Sequence, residues 1–125
     1  MKLDRFLKKF YAGVVIGLGA VANLALGGGI VGACIFSFAL LLICALGFDL
    51  FTGKVGATFL GEYELSSLAQ AYFYNALGIL FVVLLTWFSP KEEIMRETAL
   101  TIAMAREETP ILISVFMGIF CGMCV

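Results

Sequence analysis

Charge is confined to short stretches of this chain, and long apolar runs separate them. No residue from Phe10 to Phe48 is charged; a second uncharged run extends from Leu65 to Pro90, and a third from Thr109 to Val125. A helix needs about 20 apolar residues to cross a bilayer core of about 30 Å. The first run therefore predicts two spans, near 10–28 and 30–60, the second predicts one near 65–89, and the third the start of a fourth near 110–125. The turn between the first two is placed at Asn23 to Gly29, where Asn23 and the Gly27-Gly28-Gly29 triplet offer a polar turn without a charged loop. Trp87, near the end of the third span, suits a membrane interface, and Pro90 stops that helix before the next charged segment.

The polar segments have a helical pattern of their own. Leu3, Phe6, Leu7 and Phe10 share one face while Lys2, Arg5, Lys8 and Lys9 lie largely opposite, which predicts a short interfacial helix over 1–10. Ile94, Met95, Thr98, Ala99 and Ile102 form a weaker stripe, so 91–108 reads as an amphipathic connector lying on the outer surface. The four basic residues at the N-terminus, against the single acid Asp4, put that end in the cytoplasm. Lys91, Arg96 and Arg106 against five glutamates suit the opposite side. A cleaved signal peptide does not fit, because the apolar stretch continues past any cleavage site into further membrane helix.

Composition sharpens the class. With 62% hydrophobic residues, 14% charged and a net charge of −1, and a mean hydropathy of +1.08, the sequence predicts an all-α integral membrane protein, a single transmembrane domain over 1–125. There is no basic footprint for nucleic acid. Histidine is absent, which excludes a histidine-based proton relay or metal site within these residues. Cys34, Cys44, Cys121 and Cys124 all lie in apolar runs, where a thiol packs as a small hydrophobe. Cys121-x-x-Cys124 has no second ligand pair to make it a metal or redox motif. No cofactor, metal or enzymatic role is predicted.

The candidate chemistry lies at Leu46-Gly47-Phe48-Asp49-Leu50-Phe51-Thr52-Gly53-Lys54. Here an acid and a Gly-flanked Leu-Phe-Thr triplet interrupt the second span. Irregular backbone at membrane depth is tolerated only where it packs in protein or lines a polar cavity, so the interruption predicts a permeation site. Asp49 should face protein or water rather than lipid. Two readings of it stay open: direct involvement in passage, or bracing of the break by accepting from the orphan amides of the following half-helix. The Thr52 hydroxyl can donate to an anion or bond a carbonyl, and a half-helix N-terminus carries partial positive charge that suits small anions. Phe36 and Leu40, one turn apart and two to three turns before the break, could form a dewetting constriction or simply pack. Gly13-x-x-x-Gly17 and Gly118-x-x-x-Gly122 allow close helix approach.

These residues resemble the formate/nitrite transporter family. Asp49-Leu50-Phe51-Thr52-Gly53 matches the acid-Leu-Phe-Thr-Gly motif that breaks the family's second span, with aspartate for the commoner glutamate. Ala12-Gly13-x-x-Ile16-Gly17-x-Gly19 is similar to the family's first-span start, and Gly118-Ile119-Phe120-Cys121 to the start of its fourth span. Phe36 and Leu40 fall where the family places constriction residues. Arg106, twelve positions before Gly118, stands where members commonly carry a lysine on the outer vestibule.

The resemblance implies passage of a small monovalent anion, of the formate, nitrite or hydrosulfide class, through each protomer of a pentamer in a bacterial-type inner membrane. It implies half of an aquaporin-like six-span fold built from inverted repeats, with Phe36, Leu40, Asp49, Leu50, Phe51, Thr52, Arg106 and Val125 along the pathway. The implied partners are the anion, the lipid bilayer and further copies of the chain. Against the family pattern, the central histidine of the fifth span is missing and Gly122 stands where asparagine is usual. The sequence covers the first repeat and the beginning of the fourth span, so a polypeptide of this length is expected to be unstable or inactive alone. The alternatives are a non-transporting fragment or subunit, or a dual-topology small channel formed by inverted copies. The strongly basic N-terminus argues against the last.

Overall fold

The computed structural model describes residues 2–123, and side chains within 4–117. The described residues form six helices and no strand: α1 (Lys2–Ala25), α2 (Ile30–Ala45), α3 (Phe51–Phe59), α4 (Leu65–Thr86), α5 (Glu92–Glu107) and α6 (Ile111–Met123). Among them, α1 over Asp4–Ala25 and α4 over Leu65–Thr86 are long and apolar enough to cross a membrane, while α2 is apolar but shorter. Its 16 residues rise about 24 Å at 1.5 Å each, less than the hydrocarbon thickness.

The first helix differs from the expected interfacial segment followed by a span. It runs unbroken from Lys2 to Ala25, because the amphipathic N-terminal residues and the Ala- and Gly-containing apolar run share one helical register. Asn23, expected in the turn, is helical too. Its carbonyl accepts from the Gly28 N–H at 2.9 Å and the Leu24 carbonyl from the Gly27 N–H at 3.0 Å. With Gly27 at φ 74°, this is the left-handed glycine stop that commonly ends helices. The reversal thus occupies 26–29, and α2 returns antiparallel to α1.

Glycine sets the interhelical distances. A Cβ on Gly13 would fall on the Asn75 backbone carbonyl, and one on Gly78 would fall on the Phe10 carbonyl. The two helices therefore touch backbone to backbone, α1 parallel to α4, as the Gly13-x-x-x-Gly17 spacing predicts. One turn on, a Cβ on Gly17 would lie 3.2 Å from that of Val82. Gly19 faces the other way, towards Ala39 of α2. The buried apolar residues follow these seams: Ala12 on α1, Ala39 and Ile43 on α2, and Leu68, Ala71 and Val82 on α4.

The rest of the apolar surface is open. Phe38, Leu41, Tyr72, Phe73, Leu80, Leu85 and Phe88 are all exposed, as helices apolar all round are when lipid or further protein covers them. From the stripe on α5, Met95 is buried, and Thr98 and Ile102 approach Gly28 at the far end of α1. Glu92 and Glu93 in its first turn and Arg106 in its last complement the helix dipole.

Candidate functional site

The non-helical stretch between α2 and α3, where the sequence predicts an interruption, is built by its own sequence. Gly47 has φ 64°, a conformation that costs an L-residue with a Cβ roughly 1–2 kcal/mol. Around it, the Gly47 N–H donates to the Cys44 carbonyl at 3.2 Å and the Phe48 N–H to the Ile43 carbonyl at 3.0 Å. These two bonds satisfy the last carbonyls of α2 and turn the chain out of helix. Residues 46–50 are non-helical, and α3 begins at Phe51 behind an extended Leu50 (φ −80°, ψ 131°).

Leu50 has no capping side chain of its own. A residue on another helix supplies the cap instead. Asn75, on α4 and 5% exposed, accepts from the Phe51 N–H through Oδ1 at 2.9 Å. Its Nδ2 donates to the Lys9 carbonyl at 2.7 Å and to the Asp49 carbonyl at 3.1 Å. The partners fix the amide's orientation, since two carbonyls lie on one side and one N–H on the other. One side chain thus ties α1, the interruption and the first turn of α3 together. Aromatic contacts support the same region, with Phe48 stacked on Tyr11 of α1 at 6.2 Å between centroids and Phe51 edge-on to Tyr72 of α4 at 5.2 Å.

Asp49 is half-buried, and its carboxylate pairs with the Lys54 ammonium at 3.3 Å. That ammonium also lies 5.6 Å from the Tyr63 ring centroid, within cation–π range. Tyr63, in the loop before α4, lies within the field of the Asp49 carboxylate. Partial burial raises its phenol above the ordinary value and the Asp49 charge adds to this, while Arg5 opposes both more weakly. Lys9 is only 2% exposed, an uncommon position for a lysine, and its ammonium meets Gln70 Oε1 at 3.2 Å. Arg5, Lys9, Glu64, Ser66 and Gln70 line a cleft of about 430 Å³ on this flank. The surroundings of the interruption therefore carry the cations Arg5, Lys9 and Lys54 against the carboxylates Asp49 and Glu64.

The other expected residues are distributed as follows. Leu50 and Phe51 are half-buried and Thr52 is exposed in the first turn of α3. The amides of Thr52 and Gly53 are the next two of the four N–H groups a helix start leaves without internal partners. Phe36 and Leu40 are half-buried on α2, with the Phe36 ring beside Gly19 of α1. Arg106 is exposed at the end of α5, a helix whose contacts are with the opposite end of α1 from Lys9. The structure therefore groups Asp49 to Thr52 and leaves Arg106 remote from them. Val125 and Cys124 lie outside the described residues, as does the side chain of Cys121. Cys34 and Cys44 are free and exposed.

Sequence reasoning missed Asn75, Lys9 and Tyr63 as members of this cluster, and singled out the stretch that ends at Lys54 without pairing Lys54 with Asp49. Asn75 had a usable signal, as a carboxamide in the middle of an uncharged span that needs partners inside the protein. Lys9 read as one of four solvated basic residues, and nothing local distinguished Tyr63. Among known proteins, a family model described as formate/nitrite transporter matches residues 2–125. No curated protein and no solved structure matches the chain.

Proposed function

Since the chain belongs to the formate/nitrite transporter family, a family of transporters rather than enzymes, we propose that it forms a pathway for a small monovalent anion of the formate, nitrite or hydrosulfide class across a membrane. In this reading α2, residues 46–50 and α3 together make one interrupted span, part of an aquaporin-like half-fold. The N-terminus is cytoplasmic in a bacterial-type inner membrane, and the protomers assemble as a pentamer. Family membership and the apolar helices α1 and α4 support an integral membrane protein. The observation that carries the pathway is the interruption itself. An exposed Thr52 stands at a helix start whose open amides carry partial positive charge, with the cations Arg5, Lys9 and Lys54 in the surrounding structure.

Phe36, Leu40, Leu50 and Phe51 would supply the apolar girdle that excludes water and larger solutes, with Thr52 offering a hydrogen bond between such constrictions. Asp49, paired with Lys54, would brace the interruption and keep a carboxylate from opposing the anion unneutralised. Arg106 would face the outer vestibule, where a cation attracts anions. Thr52→Val keeps the shape of the side chain and removes its donor. A hydrogen bond to a charged group contributes about 1.5–3 kcal/mol, so formate uptake into proteoliposomes should fall roughly ten- to hundredfold with oligomerisation intact. Unchanged flux would remove Thr52 from the pathway.

A further inference from the structure

We propose that Asn75 is a positioning residue for this pathway: its buried carboxamide sets where α3 restarts, and so where Thr52 and the open amides point. The proposal rests on the anion pathway put forward above. The interruption has no cap of its own, because Leu50 cannot accept a hydrogen bond through its side chain. The first amide of α3 is held from α4 instead, by Oδ1 of Asn75 at 2.9 Å. The same carboxamide holds the Asp49 carbonyl at 3.1 Å. It therefore grips the chain on both sides of Leu50, fixing entrance and exit of the extended residue two positions before Thr52.

The third bond gives the grip a fixed reference. Nδ2 reaches the Lys9 carbonyl at 2.7 Å, in the seam where Gly13 and Gly78 let α1 and α4 meet backbone to backbone. A residue that served only to fill space would not need two donors and one acceptor at matched positions. A side chain buried in this way is costly unless every group is satisfied. All three partners here are main-chain groups, so the arrangement transmits backbone position rather than side-chain identity. Thr52, one residue past the held amide, inherits that position.

The test uses two substitutions in the full-length protein. Asn75→Leu keeps the branched shape and removes all three hydrogen bonds, whereas Asn75→Asp keeps an acceptor for the Phe51 N–H and loses both donors. Hydrogen exchange followed by mass spectrometry reads the amides of residues 48–56, and nitrite uptake into proteoliposomes reads the pathway. In Asn75→Leu, exchange of this segment should be roughly tenfold faster, as expected for a lost hydrogen bond, while segments of α1 and α4 keep their rates. Asn75→Asp should restore slow exchange at Phe51, and both variants should take up less nitrite than the wild type. Exchange in Asn75→Leu equal to wild type overturns the proposal. So does faster exchange spread evenly over α1 and α4, which would make Asn75 a packing residue. Absence of nitrite uptake by the wild type would instead remove the pathway reading, and the exchange rates would still decide whether Asn75 holds the interruption.

Discussion

Replacing Gly13 by alanine should be the most damaging single-methyl change in the α1–α4 seam. The added Cβ would coincide with the Asn75 carbonyl group, with the Asn75 Cα itself 2.8 Å away, and backbone cannot swing aside as a flexible side chain does. The helices must separate. Overpacking a close contact costs about 1–3 kcal/mol, and separation also stretches the 2.7 Å bond from Asn75 to the Lys9 carbonyl, whose loss adds about 1 kcal/mol. The expected destabilisation is about 2–4 kcal/mol. Gly56, inside α3 with open space for 4 Å around the position a Cβ would take, is the control. There alanine should stabilise by about 0.5–1 kcal/mol through helix propensity alone. Denaturant titration of the detergent-solubilised protein, followed by helical circular dichroism, measures both. Equal stability of Gly13→Ala and wild type would refute the backbone-to-backbone contact.

Other consequences follow from the same geometry. Gly47→Ala forces a Cβ into a left-handed conformation and should destabilise by about 1–2 kcal/mol in the same titration, with Gly47→Asn milder. Lys54→Gln removes the partner of Asp49 at a partly exposed site and should cost no more than about 1 kcal/mol, decreasing with salt; a loss of several kcal/mol would contradict this. Because the folded Tyr63 phenol is held above its ordinary value, its contribution to stability is complete below the unfolded value near pH 10 and is lost as pH rises through the higher folded one. The 295 nm titration difference between wild type and Tyr63→Phe should accordingly show a step above the ordinary tyrosine range, and a step at or below it would be wrong for this structure.

Much of the helical layout was legible because it follows from runs of uncharged residues and from glycine. Gly13 and Gly17 announced a close seam by their spacing, and Gly47 with Asp49 announced the end of α2, since both signals are local. The N-terminal segment was harder. Amphipathic and apolar stretches in one helical phase look like two elements in sequence, while the chain has no reason to break between Lys9 and Phe10. Asn23 looked like a turn residue because of its polarity, but the glycine following Leu26 could adopt the left-handed conformation and Asn23 could remain helical. The site was half legible. Asp49, Leu50, Phe51 and Thr52 are adjacent in sequence, whereas Asn75 and Lys9 join them through the parallel docking of α1 and α4, and Tyr63 through the loop before α4, which one-dimensional periodicity does not encode.

The central claim, passage of a small monovalent anion, is tested most directly by anion-driven flux in liposomes containing the full-length protein. Formate and nitrite should each enter well above the rate of empty liposomes, and divalent sulfate should stay excluded by its size and the cost of desolvating two charges. Formate and nitrite rates equal to those of empty liposomes, in a preparation that is folded and membrane-inserted, would contradict the account.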